Sequence, residues 1–258
     1  MKRTIPFLFV WLAMLLTSLG ASVHAETLPQ TIEKIKPSVV AVGTVQKTRV
    51  PPASFQGTGF VVGNGLYIVT NAHVLPPVLN AENKETLGVF SGSGDAAKFR
   101  EAKVVLVDKE HDLALLKIDG EALPALNLGD TAGVREGQAL AFTGFPIGPV
   151  LGLYPVTHHA FVSAITPVVI PVANFKQLDI KMIKRMRTTF SVFQLDATAY
   201  PGNSGSPLYD PETGAVQGIV NMVFIKGTKE RALSEPSGIT YAIPGKYIRE
   251  LLNSAGVK

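Results

Sequence analysis

Apolar residues along this chain come in short runs at close intervals, broken by Gly, Asn, Asp and Pro. "SVVAVGTV", "GTGFVV", "LYIVTNAHVL", "LGVFSG", "AKVVLVD" and "LALLKI" fill the stretch to about residue 118. "ALAFTGF", "AFVSAI", "SVFQLDA", "SPLYD", "AVQGIVNMVF" and "ITYAIP" follow. The runs are rich in Val, Ile and Phe and too short for buried helices, so each predicts a β-strand. Two sets of six predict an all-β fold of two six-stranded antiparallel β-barrels rather than a sheet alternating with helices. The first barrel is expected over about residues 37–128 and the second over about 137–244, joined near "LGDTAGVRE". Leu28 to Ile35 leaves room for one or two helical turns before Pro37, and residues 245–254 for one closing helix after Pro244.

Two segments break this pattern. At the start, Lys2 and Arg3 precede a charge-free stretch from Ile5 to Ala21, and Val23 and Ala25 offer small residues for cleavage before Glu26. Residues 1–25 therefore read as an export signal, and residues 26–258 as the mature domain. An uncleaved anchor is the alternative, but the apolar stretch contains Pro6 and falls short of the ~20 residues that a spanning helix needs. No stable membrane insertion is expected once the signal is removed. The second break is "PVVIPVANFKQLDIKMIKRMRTTF", residues 167–190. Leu178, Met182, Ile183 and Met186 fall on one helical face and Lys176, Lys181, Lys184, Arg185 and Arg187 largely elsewhere, an amphipathic basic pattern. The favoured reading is a helix packed on the barrel with a solvated face, and a regulatory or partner-binding element is the alternative.

Composition limits the chemistry. With 258 residues, 46% of them hydrophobic, the chain can bury a sizeable core. Without Lys2 and Arg3 it carries 22 Lys and Arg against 20 Asp and Glu, so charge argues against a nucleic-acid partner. It has no Cys, which removes disulfides, lipid attachment, thiol nucleophiles and zinc-thiolate sites. A periplasmic or secreted location suits such a chain, and no metal or cofactor is expected.

What remains is hydroxyl chemistry. In "TAYPGNSGSPLYD", Gly202, Asn203, Ser204, Gly205 and Ser206 share one turn between Pro201 and Pro207. A serine becomes a nucleophile when a base takes its proton, and that base needs a carboxylate to fix its tautomer. Five histidines are available. His24 leaves with the signal, and His158 and His159, adjacent on a predicted strand, point to opposite faces. His73 and His111 are left, and of these His73 ends an apolar strand, where a side chain can be held at a barrel rim. Asp112 follows His111 and enters a nearly wholly apolar strand, so it is the acid drawn furthest inward, where it must find a donor. The assignment is His73 as base, Asp112 as its orienter and Ser204 as nucleophile. Taken singly, these could be a core histidine, a turn cap and a turn serine. Together they stand in the His, Asp, Ser order of one known triad arrangement.

"GTGFVVGNGLYIVTNAHV", "HDLALLKID", "YPGNSGSPL" and "GITYAIP" together resemble the HtrA/Deg-type trypsin-like serine proteases, from about Leu28 to Leu252. The resemblance implies a chymotrypsin-like fold, an active site between the barrels, and peptide-bond hydrolysis through an acyl-enzyme. In that setting the N–H groups of Gly202 and Ser204 would form the oxyanion hole, with glycine needed at 202 because a side chain would disturb the backbone. Val220, Asn221 and Met222, in an apolar run reaching Phe224, would line the primary substrate pocket, with Ile239 and Tyr241 as its wall. Ser206 replaces the second glycine that usually follows the serine in this family. The same replacement recurs in related glutamyl endopeptidases, but no histidine follows His159, so a preference for small aliphatic residues is expected over one for Glu. Most proteases of this type carry one or more PDZ domains after the protease domain, and none is expected here. The expected partners are polypeptide substrates, unfolded or exposed, with a homo-oligomer left open. The alternatives are a catalytically silent binding or chaperone-like module, and an esterase using the same triad.

Overall fold

The computed structural model describes residues 27–146, 152–168, 190–222 and 238–257. The expected export signal, most of the 167–190 segment and Phe224 lie outside the described residues.

Six strands, β1 (Val39–Val45), β2 (Ala53–Val62), β3 (Tyr67–Asn71), β4 (Thr86–Ser91), β5 (Lys98–Asp108) and β6 (Leu113–Ile118), close into one barrel in the order β1-β2-β3-β6-β5-β4. Six more, β7 (Ala139–Gly144), β8 (Val156–Pro167), β9 (Ser191–Asp196), β10 (Pro207–Tyr209), β11 (Val216–Asn221) and β12 (Ile239–Pro244), close into a second in the order β10-β11-β12-β9-β8-β7. All pairs are antiparallel. Helix α1 (Leu28–Ile35) precedes the first barrel and α2 (Gly245–Ser254) follows the second.

The near-continuous apolar runs follow from where the strands lie. In β1, Val40 and Val42 point into the first barrel beside Ile68, Val89 and Leu116, whereas Val39 and Ala41 join Phe90, Ala141 and Tyr209 in a layer between the barrels. Both faces are buried, so the period-2 alternation of a half-exposed strand disappears. In β8 the alternation persists, because Ala160 and Val162 face the second barrel's core and Phe161 faces outward, half exposed. A further inter-barrel layer joins Phe60 and Leu115 of the first barrel to Ile219 and Ile243 of the second, and Tyr247, Ile248 and Leu251 of α2 seal it. Two apolar layers thus press the barrels together and fix the seam between them. Among the described residues no helix is long and apolar enough to cross a membrane.

The 80–86 segment is tied to β1 by charge. Glu85 Oε1 accepts from Thr44 Oγ1 (2.6 Å) and Arg49 Nη1 (2.7 Å), and its Oε2 accepts from the Asn80 N–H (3.0 Å). The Thr44 hydroxyl foremost, then the Asn80 N–H and the Arg49 guanidinium, lower its carboxyl from 4.5 to about 2. Because the folded value is depressed, the stabilisation is complete above pH 4.5 and is lost as pH falls toward 2. Thermal melts between pH 5 and pH 3 are expected to show wild type losing Tm more steeply than Glu85→Gln; parallel slopes would remove Glu85 from the acid limb.

Candidate active site

The site begins with the end of β3. Asn71 closes the strand and a 3₁₀ turn, Ala72–Val74, follows at once, so His73 stands at the barrel rim while Val74 anchors the turn in the core. Across the same rim, Asp112 sits between β5 and β6 with φ +53°, a left-handed conformation that Asp tolerates better than most side chains. It aims both polar ends of the residue at the 71–73 segment. The Asp112 carbonyl accepts from the Ala72 N–H (3.0 Å) and from Asn71 Nδ2 (3.1 Å). Its Oδ1 accepts from the His73 N–H (2.9 Å), and its Oδ2 accepts from His73 Nδ1 at 2.5 Å. With a carboxylate on Nδ1, the imidazole carries its proton there and Nε2 is left as the acceptor.

Ser204 arrives from the second barrel. Its turn is laced by Asn203 N–H to Tyr200 O (2.9 Å), Ser206 N–H to Asn203 O (3.0 Å) and Gly205 N–H to Val220 O (3.0 Å). Thr58 on β2 reaches across the seam to hold it: its N–H donates to Ser204 O (2.8 Å) and its hydroxyl to Gly202 O (2.7 Å). Ser204 Oγ lies 2.9 Å from His73 Nε2 and accepts from the Met222 N–H at 3.3 Å, which leaves its own proton directed at the imidazole. Gly202 has φ +103°, a region that favours glycine. Among the described residues, the N–H groups of Gly202 and Ser204 donate to no acceptor.

His73, Asp112, Ser204 and Gly202 therefore converge on one locus. The three residues expected to line a substrate pocket separate instead. Val220 is fully buried, its side chain in the second barrel's core. Asn221 is equally buried, and its Nδ2 donates to Asp112 Oδ2 at 2.6 Å. Met222 is half-buried and presents its N–H to Ser204. Sequence reasoning missed the Asn221 bond to the carboxylate and the hold of Thr58 on the serine turn. The signal for the first was present, since an amide within an apolar run of the sequence must find a partner once buried. Of the other histidines, His111 pairs with Asp108, and His158 stacks on Phe142 at 4.8 Å, where burial pushes its imidazole down toward the neutral form.

The model of the trypsin-like peptidase domain matches residues 57–219, a span that contains His73, Asp112 and Ser204. The chain is 31% identical over 191 residues to a probable periplasmic serine endoprotease, DegP-like, of Halomonas elongata, covering 73% of this chain and 32% of that protein. It is 31% identical over 225 residues to serine protease HTRA1A of Danio rerio, covering 86% and 40% respectively. The chain spans less than half the length of these relatives. The solved structure of the HtrA-type protease AlgW with a tripeptide superposes with a TM-score of 0.63 at 27% identity, covering 89% of this chain and 63% of that one.

Ser206, in place of the second glycine, has a structural counterpart on β7. It is fully buried, and a Cβ placed on Gly144 would overlap its hydroxyl and approach Asn203 Oδ1 to 2.8 Å and Thr58 Oγ1 to 3.0 Å. Glycine at 144 makes room for serine at 206. Gly144→Ala is expected to destabilise the protein by about 1–3 kcal/mol in urea unfolding, as overpacking does. Adding Ser206→Gly should recover a large part of that loss, and strictly additive effects in the double variant would break the link.

Proposed function

The chain belongs to the trypsin-like peptidase domain family, and from that premise we propose that it is an exported serine endopeptidase, removed from its 1–25 signal and acting outside the cytoplasm on unfolded or exposed polypeptide segments. The observation that carries this reading is the continuous relay from Asp112 Oδ2 through His73 to Ser204 Oγ, with steps of 2.5 and 2.9 Å, assembled from loops of two barrels.

In the proposed reaction Ser204 Oγ attacks the scissile carbonyl carbon while its proton passes to His73 Nε2. The carbonyl oxygen becomes an oxyanion, for which the N–H groups of Gly202 and Ser204, without an acceptor among the described residues, are the donors at hand. Asp112, kept in place by Asn221, holds His73 in the tautomer that can accept that proton and stabilises the imidazolium it forms. As the intermediate collapses, the C–N bond breaks and the leaving amine takes the proton from His73. Water then attacks the acyl-enzyme ester by the same route and frees Ser204.

The substrate class draws support from the HtrA and DegP-like relatives, and the extracytoplasmic location from the charged and apolar pattern of residues 1–25 together with the periplasmic relative. Ser204→Ala is expected to abolish casein hydrolysis, with losses on the order of 10⁶-fold as for other nucleophile deletions, while leaving the melting temperature near wild type. Asp112→Asn should lower kcat by about 10⁴-fold through the wrong tautomer. Hydrolysis retained in Ser204→Ala would overturn the nucleophile. A folded wild type inert toward peptides and esters would favour the silent binding module instead.

A further inference from the structure

A second His and Asp pair lies beside the first. Asp108, the last residue of β5, accepts at Oδ1 from the N–H groups of Glu110 (2.9 Å) and His111 (3.1 Å), and at Oδ2 from His111 Nδ1 (2.6 Å). One carboxylate thus closes the turn that leads into Asp112. Burial pushes the Asp108 carboxyl up, but the bonds from the His111 ring and backbone outweigh it and hold the group below its ordinary value. The Asp108 carboxylate is thus engaged within its own turn, by the ring and backbone of His111 and the Glu110 N–H.

The His111 ring also reaches beyond its own barrel. It stacks on Tyr247 of α2 with centroids 4.1 Å apart and planes at 21°, and meets the edge of Phe190 at 4.8 Å. Phe190 and Tyr247 pack edge to face at 5.3 Å. Phe190 directly precedes β9, and its carbonyl accepts from the Val168 N–H at the end of β8 (2.9 Å). Three rings from three elements therefore meet immediately next to the residue that carries the relay's carboxylate.

The position matters because Asp112 is held left-handed. A non-glycine residue in that region costs on the order of 1 kcal/mol and persists only where its surroundings dictate it. The bonds made to Asp112 come from Asn71, Ala72, His73 and Asn221. They pull from the triad side and leave the entry of the chain at residue 111 to be fixed by something else. His111 is placed to do this, with its backbone and ring bonded to Asp108 and its face clamped against α2.

We propose that His111 is a positioning residue for the triad: bonded to Asp108 and stacked on Tyr247, it holds the turn in which Asp112 faces His73 and ties that turn to the closing helix. The inference rests on the peptidase reading and goes beyond it, since His111 touches neither substrate nor reacting atoms. A displacement of well under 1 Å at Asp112 would be felt in turnover, because proton transfer depends steeply on geometry.

The test uses the mature chain, a peptide ester, and the low-field proton resonance that a short His73 Nδ1–H to carboxylate bond should give. His111→Ala and Tyr247→Leu are each expected to lower kcat about tenfold with KM within about twofold, and to move or broaden that resonance. Tyr247→Phe keeps the stacked ring and should retain wild-type kcat and resonance. A folded His111→Ala with both readouts unchanged would overturn the proposal. Should that variant fail to fold, Tyr247→Leu decides on its own, since leucine keeps the site apolar. A wild type with no turnover but an intact low-field resonance would refute the peptidase reading alone, and the variants' resonances would still decide the role of His111.

Discussion

A carboxylate at the seam of two barrels organises this molecule's chemistry. Asp112 belongs to the first barrel, yet its side chain accepts from His73 of that barrel and from Asn221 of the second. A partly buried carboxylate without donors would be costly, so each bond that satisfies it also locates a piece of the site. The left-handed turn brings its carbonyl and carboxylate to the same three-residue segment, and His73 is held by ring and backbone together.

The barrels must then stay in register for Ser204 to meet that imidazole. Two apolar layers supply the force without direction, one under α1 and one under α2. Direction comes from Thr58, whose N–H and hydroxyl take two carbonyls of the serine turn across the seam, while the close packing of Gly144 on Ser206 shapes that turn within the second barrel. Hydrophobic burial closes the seam and a few polar contacts set its geometry, a division of labour expected when packing is plastic and hydrogen bonds are not.

Much of this was legible before any coordinates. Twelve apolar runs became twelve strands in two closed barrels, because short β-branched runs bounded by turn residues leave few other solutions. The convergence of His73, Asp112 and Ser204 was readable from elimination among few histidines and from the chemistry a serine needs. The roles of Val220 and Asn221 were harder to read. A run of residues such as "GIVNMVF" gives no sign of which face a strand will bury, and here the register with β12 places Val220 in the core and turns Asn221 to the carboxylate. Thr58 and His111 stayed hidden for a related reason: each acts on a residue far away in sequence or on another element, and spacing along the chain carries no record of such contacts.

The relay and the serine turn are proposed to form one working unit across the seam. A crystal structure of the mature chain after reaction with a peptidyl phosphonate tests it most directly. The expected structure has a covalent bond from Ser204 Oγ to phosphorus, a phosphonyl oxygen within hydrogen-bond distance of both the Gly202 and Ser204 N–H groups, and His73 still bridging Asp112 and the adduct. An adduct on another residue, or a phosphonyl oxygen turned away from both N–H groups, would contradict it.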